Sequence, residues 1–87
     1  MSLNRYAKRR DENEPEIVRA LRDIGATIKR LDDIDLLVGW RGRNYLLEVK
    51  VEKGPLKRSQ EDMVRTWRGQ YEIVRSVDEA LRAIGAT

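Results

Sequence analysis

The chain contains no cysteine, histidine or phenylalanine, and only two prolines. Without cysteine there is no disulfide framework, no thiolate nucleophile and no zinc–sulfur site. Without histidine there is no Ser-His-Asp triad, no imidazole base and none of the usual transition-metal ligand sets. Long apolar runs are also missing. No stretch approaches the roughly 18 residues a membrane-crossing helix needs, and the start, Met1-Ser2-Leu3-Asn4-Arg5-Tyr6, lacks the apolar centre of a secretory signal. These absences predict a cytoplasmic protein. Any chemistry must come from Asp, Glu, Lys, Tyr, Ser or Gln, and carboxylates holding a hard, oxygen-loving cation are the leading option.

The 87 residues suit one domain with a small core, 40% hydrophobic and 38% charged. Eighteen basic residues against 15 acidic ones give a net charge of +3, which permits a nucleic-acid partner without demanding one.

The first dozen residues are polar and aperiodic, which predicts an arm or frayed helix over residues 1–12. Asn13 has the chemistry of an N-cap, and Pro15 fits a first helical turn. Glu14, Ile17, Val18 and Leu21 fall on one helical face, and Gly25 stops the helix. Glu16 lies off that stripe. A short strand with Ile28 inward is expected over Ala26–Leu31. Two further strands, Ile34–Trp40 and Arg43–Val51, flank a tight turn at Arg41-Gly42. A second helix begins at Lys57 or at Ser59 and runs to Arg68, with Gln60, Met63, Val64 and Trp67 on its buried face. Tyr71–Arg75 reads as a strand. Ser76 and Glu79 have capping-box spacing for a last helix through Ile84. The near-repeat of Ala20–Thr27 and Ala80–Thr87 reads as two similar helix ends. The expected fold is α/β, with a small mixed sheet flanked by helices.

A two-residue turn at Arg41-Gly42, or a four-residue loop from Trp40 to Arg43, sets Asp35 opposite Glu48. A three-residue loop would shift that register. Opposed residues share a face, with Cβ atoms about 4.5–5.5 Å apart. Two carboxylates that close need a cation between them, and Mg²⁺ or Mn²⁺ suits such a site. Alternation puts Leu46, Glu48 and Lys50 on one face, with Tyr45, Leu47 and Val49 on the other. Glu14 and Gln60 extend the apolar stripes of their helices, so polar residues from several elements point toward one end of the sheet.

Asp35 followed after thirteen residues by Glu48-Val49-Lys50, within this element order, resembles the core of the PD-(D/E)xK nucleases. More narrowly, Asn13-Glu14-Pro15-Glu16-Ile17-Val18, Ile34-Asp35-Leu36-Leu37-Val38-Gly39, Tyr45-Leu46-Leu47-Glu48-Val49-Lys50 and Leu56-Lys57-Arg58-Ser59-Gln60 resemble the VRR-NUC family of virus-type replication and repair nucleases, in its stand-alone phage form. Archaeal Holliday-junction resolvases share the layout more distantly. The resemblance runs from about Asn13 to Ala80 and implies a restriction-endonuclease-like αβββαβ core in a single domain, residues 1–87. It also implies a Mg²⁺- or Mn²⁺-dependent deoxyribonuclease in a bacterial or phage-infected cell. No expected helix has the form of a major-groove reader, which points to branched DNA such as Holliday junctions, and a sheet too small to cover both of its faces alone points to a homodimer. By the same resemblance, Asp35, Glu48 and the main-chain carbonyl of Val49 would hold metal, and Glu14 would hold the metal's waters or a second ion. Lys50 would position the attacking water and offset phosphate charge, and Gln60 would orient that region. Ile34 stands where the superfamily name has proline. Lys57 stands where a small hydroxyl residue often caps the second helix, which favours a start near Ser59.

Lys8, Arg9, Arg10, Arg41, Arg43, Lys53, Lys57 and Arg58 are candidates for DNA-backbone contact, which brings affinity without reading sequence. The rival expectation is a non-catalytic, small basic protein that binds nucleic acid or another partner.

Overall fold

A computed structural model describes residues 10–51 and 53–87. Seven elements follow in order: α1 (Glu14–Asp23), β1 (Thr27–Arg30), β2 (Leu36–Trp40), β3 (Arg43–Val49), α2 (Arg58–Thr66), β4 (Glu72–Val74) and α3 (Val77–Ala83). The fold is α/β, a four-stranded mixed sheet with three helices. Strand order is β1-β2-β3-β4; the first three run antiparallel, and β4 lies parallel to β3. No helix among the described residues is long and apolar enough to cross a membrane.

The hairpin turn takes the two-residue form. Arg41 and Gly42 both have positive φ, 51° and 78°, as a type I′ turn requires. Trp40 therefore pairs with Arg43, and the ladder runs back to Leu36 opposite Leu47. The strands are shorter than expected, so Asp35 and Lys50 lie one step beyond the regular ladder.

Alternation along the sheet separates its two faces. Leu36, Val38, Leu47, Val49 and Val74 face Ile17, Val18 and Leu21 of α1 and Ala80 of α3, with Ile84 beside it, in one core. Both helices end in the same way, with glycine at positive φ. Gly25 N–H and Ala26 N–H donate to Arg22 and Leu21 carbonyls, and Gly85 and Ala86 repeat the pattern on Arg82 and Leu81. These are Schellman caps, so the two similar sequence segments are two similar helix ends.

Three expectations need correction. Asn13 occupies the N-cap position of α1, yet its side chain caps nothing. Its Nδ2 donates instead to the carbonyls of Lys50 (2.9 Å) and Arg75 (3.2 Å), tying the helix start to the ends of β3 and β4. Of the arm expected over residues 1–12, residues 1–9 lie outside the described residues, and Arg10 and Asp11 are tied to the fold. Arg10 bonds Glu14 and the Leu31 and Asp35 carbonyls, and Asp11 Oδ2 accepts the Val51 N–H at 2.9 Å. Sequence periodicity carries no trace of such long-range polar partners.

The third correction concerns α2. It starts at Arg58, between the two expected starts, with Lys57 as an extended N-cap, and it ends at Thr66, short of the expected Arg68. Only Gln60 on its expected inner face is buried; Val64 is 57% and Trp67 50% exposed. α2 joins β3 to a parallel neighbour on the sheet face opposite α1 and α3. It has no extensive packing against any other element, so its apolar stripe is left largely uncovered.

Candidate active site

Among the described residues, the buried polar or charged side chains are Glu14, Asp35, Glu48, Lys50 and Gln60. Burying an ionic group costs free energy unless partners compensate. Each of the five is accounted for differently.

Asp35 closes the bend between β1 and β2. The Val49 N–H points toward β2 just where that strand has ended, and Asp35 Oδ2 accepts it at 2.8 Å. The side chain thus replaces a missing ladder acceptor. In a strand the N–H and C=O of one residue point the same way, so the Val49 carbonyl lies on the same side of β3 as Asp35. The Arg10 guanidinium stands 3.7 Å from Asp35 Oδ1.

Glu48 projects from β3 toward α2. Its Oε1 accepts the Tyr71 hydroxyl at 3.0 Å. Burial, more than any other cause, pushes the Tyr71 phenol well above its usual value. The Glu48 carboxylate and its hydrogen bond add to this, and the Asp35 carboxylate adds further. Tyr71 is therefore a permanent donor at neutral pH, and it sits within the field of both carboxylates.

Lys50 follows β3 with only 8% exposure. Its N–H donates to the Val74 carbonyl at 3.0 Å. Its ammonium forms no ion pair with any described residue. A cation so placed favours the arrival of an anion.

Glu14, 1% exposed, is neutralised by two arginines. Arg30 Nε donates at 2.9 Å, and Arg10 reaches both carboxylate oxygens at 3.2–3.3 Å. Gln60 Oε1 accepts the Lys57 N–H at 2.9 Å and so helps to start α2. Gln60 also lines a cleft of about 490 Å³ together with Glu48, Met63, Trp67 and Tyr71.

The five residues are thus brought to one end of the sheet, though not into one ligand set. No three acidic side chains among the described residues converge as a group that could hold a metal ion. Asp35, Glu48 and the Val49 carbonyl offer hard oxygen donors from neighbouring positions, a chemistry that fits Mg²⁺ or Mn²⁺. Glu14 is instead occupied by guanidinium groups.

The candidate DNA contacts divide. Arg10 is engaged inside the fold. Arg41, Arg43, Lys53, Lys57 and Arg58 are exposed, and the Arg41 guanidinium rests over the Trp40 ring, 4.9 Å from its centroid. Lys8 and Arg9 lie outside the described residues. Sequence reasoning missed Arg30, Tyr71 and the inward role of Arg10. Tyr71 meets Glu48 only because β4 is parallel to β3 with Glu48 beside Ile73; no local pattern encodes that register.

No family model matches this chain, and no curated protein or solved structure matches it either.

Proposed function

We propose that the chain is a metal-dependent DNA endonuclease, built on a minimal PD-(D/E)xK core of the VRR-NUC kind. The observation that carries this reading is the burial of Asp35, Glu48 and Lys50 together at the end of the β2–β3 hairpin, with the Lys50 ammonium unpaired among the described residues. Asp35, Glu48 and the Val49 carbonyl are the residues that would hold Mg²⁺ or Mn²⁺. When bound, such an ion lowers the pKa of its water and offsets charge at phosphorus.

The chain's own residues do the rest. Val49 N–H fixes Asp35, and Tyr71 fixes Glu48. Lys50 supplies positive charge for the phosphate and orients the approaching water. Exposed Arg41, Arg43, Lys53, Lys57 and Arg58 give salt-dependent grip on the DNA backbone. Among the described residues no element has the form of a major-groove recognition helix, which supports selection by DNA structure, as at flaps and four-way junctions, over selection by sequence. Two copies acting together would account for coordinated cuts, and the half-buried Leu37 and Leu46, on the sheet face away from the core, support pairing.

The competing reading, a non-catalytic nucleic-acid-binding protein, has its own support. Glu14, Asp35 and Gln60 all have structural partners, so their burial does not require catalysis. Labelled duplex, flap and four-way-junction DNA, incubated with Mg²⁺ or Mn²⁺, separates the two. Cleavage that is lost in Glu48→Gln and in EDTA, with DNA binding retained, is the expected result. Equal activity in the variant, or none in the wild type, sinks the nuclease reading.

A further inference from the structure

The indole of Trp67 is half exposed at the rim of the cleft that holds Glu48. A large aromatic ring in that position is costly to leave in water, and the packing around it is specific. A Cβ on Gly69 would stand only 3.0 Å from Trp67 Nε1 and 3.6 Å from Cε2. Gly69 has no positive φ that would call for glycine. Its missing side chain is what lets the indole lie close over the backbone. Ile34, Met63 and Tyr71 form with Trp67 the apolar and aromatic wall of this cleft, and Asp32, Asp33, Ser59 and Gln60 line it with Glu48 as its polar part.

We propose that Trp67 is the stacking platform for one unpaired nucleobase beside the scissile phosphate. The inference rests on the nuclease reading for the identity of its ligand. Each base flanking a phosphodiester is tied to it through a single sugar, so a phosphate held near Glu48 and Lys50 brings its own base onto this wall. Within a duplex both faces of a base are covered by its neighbours. Only an unstacked base can present a π-face to the indole. The carboxylates and the apolar wall therefore select together a nucleotide that has left the helix, through base shape alone and without reading sequence.

The test uses the full chain, a dye-labelled single-stranded oligonucleotide, and the same sequence as a fully paired duplex, first in EDTA. Intrinsic fluorescence is expected to fall on adding the single strand, and this quench disappears in Trp67→Phe, where Trp40 remains as an internal reporter of folding. Trp67→Ala is expected to weaken single-strand binding roughly 5- to 150-fold, with duplex binding unchanged and Trp67→Phe retaining most of the affinity. With Mg²⁺ or Mn²⁺, Trp67→Ala should raise KM on substrates with an unpaired nucleotide at the cut and leave kcat little changed.

Equal loss on both DNA forms, or no loss on either, overturns the proposal. So does a change in solution mass on Trp67→Ala with oligonucleotide affinity intact, since the exposed face would then be a contact between copies. If the wild type cleaves nothing while the Trp67 quench persists, the nuclease reading fails and the base site stands.

Discussion

The Tyr71 hydroxyl donates to Glu48 Oε1 across 3.0 Å, joining the residue that leads into β4 to the acid at the end of β3. A carboxylate that would serve a cation needs a fixed orientation, and an outer hydrogen bond supplies one. Tyr71→Phe removes one oxygen and leaves the ring that packs beside it. The variant is expected to fold, to lose about 0.5–1.5 kcal/mol of stability, and to lose roughly 10- to 100-fold in Mn²⁺ affinity or cleavage rate. Titration calorimetry with Mn²⁺ and single-turnover cleavage check this. A variant with wild-type values in both would remove Tyr71 from the site.

The same phenol sets a pH dependence. Its pKa in the folded chain is raised above the ordinary tyrosine value of 10.0 by burial first, and by the neighbouring carboxylates after that. Below about pH 10 the group is neutral in both folded and unfolded chains, and its contribution is fully present. Above that, the unfolded chain releases the proton while the folded chain retains it, so stability falls as pH rises. Urea melts between pH 9 and 11 should show a steeper loss in wild type than in Tyr71→Phe. Parallel slopes would contradict it.

The hairpin shows why part of this fold was legible in the sequence. Arg41-Gly42 between two apolar runs marks the turn, its two-residue and four-residue forms give the same register, and register fixes which residues share a face. The five inward polar residues followed from that register and from two helical stripes. What local pattern cannot encode is the partner of each. The register between β3 and β4 depends on a crossover through α2, so Tyr71 was invisible as a neighbour of Glu48. Arg10 looked like a basic arm because its targets, Glu14 and the Leu31 and Asp35 carbonyls, meet only after folding. The α2 stripe misled in the opposite direction. Met63, Val64 and Trp67 have helical spacing, but α2 ends at Thr66, Val64 and Trp67 stay exposed, and Met63 is half-buried beside the cleft that holds Glu48. Periodicity reports a shared face, and whether that face is covered is decided by the rest of the chain.

Glu14 is held by two cations at once, Arg10 at 3.2 Å and Arg30 at 2.9 Å. Either one can neutralise it, so the two removals should not add. Arg10→Met or Arg30→Met alone is expected to cost about 1 kcal/mol, the range of a partly exposed pair. The double variant leaves a buried carboxylate without a cation and should cost on the order of 3–5 kcal/mol. Urea denaturation of the four proteins gives the coupling. Simple additivity would mean that Glu14 draws its compensation from elsewhere.

Asp35 has two separable jobs. Its carboxylate accepts the Val49 N–H, and in the nuclease reading its charge helps to hold a metal ion. Asp35→Asn keeps an oxygen acceptor in the same place and removes the charge. Asp35→Ala removes both, leaving a buried N–H unsatisfied. Asp35→Ala is therefore expected to lose about 1–3 kcal/mol of stability, and Asp35→Asn much less. An ion that binds only the folded chain stabilises it by mass action, so added Mn²⁺ should raise the Tm of the wild type and leave both variants unmoved. A wild type indifferent to Mn²⁺, with Asp35→Ala still unstable, would assign Asp35 to the fold alone. A Mn²⁺ response that persists in Asp35→Asn would place the ion away from Asp35.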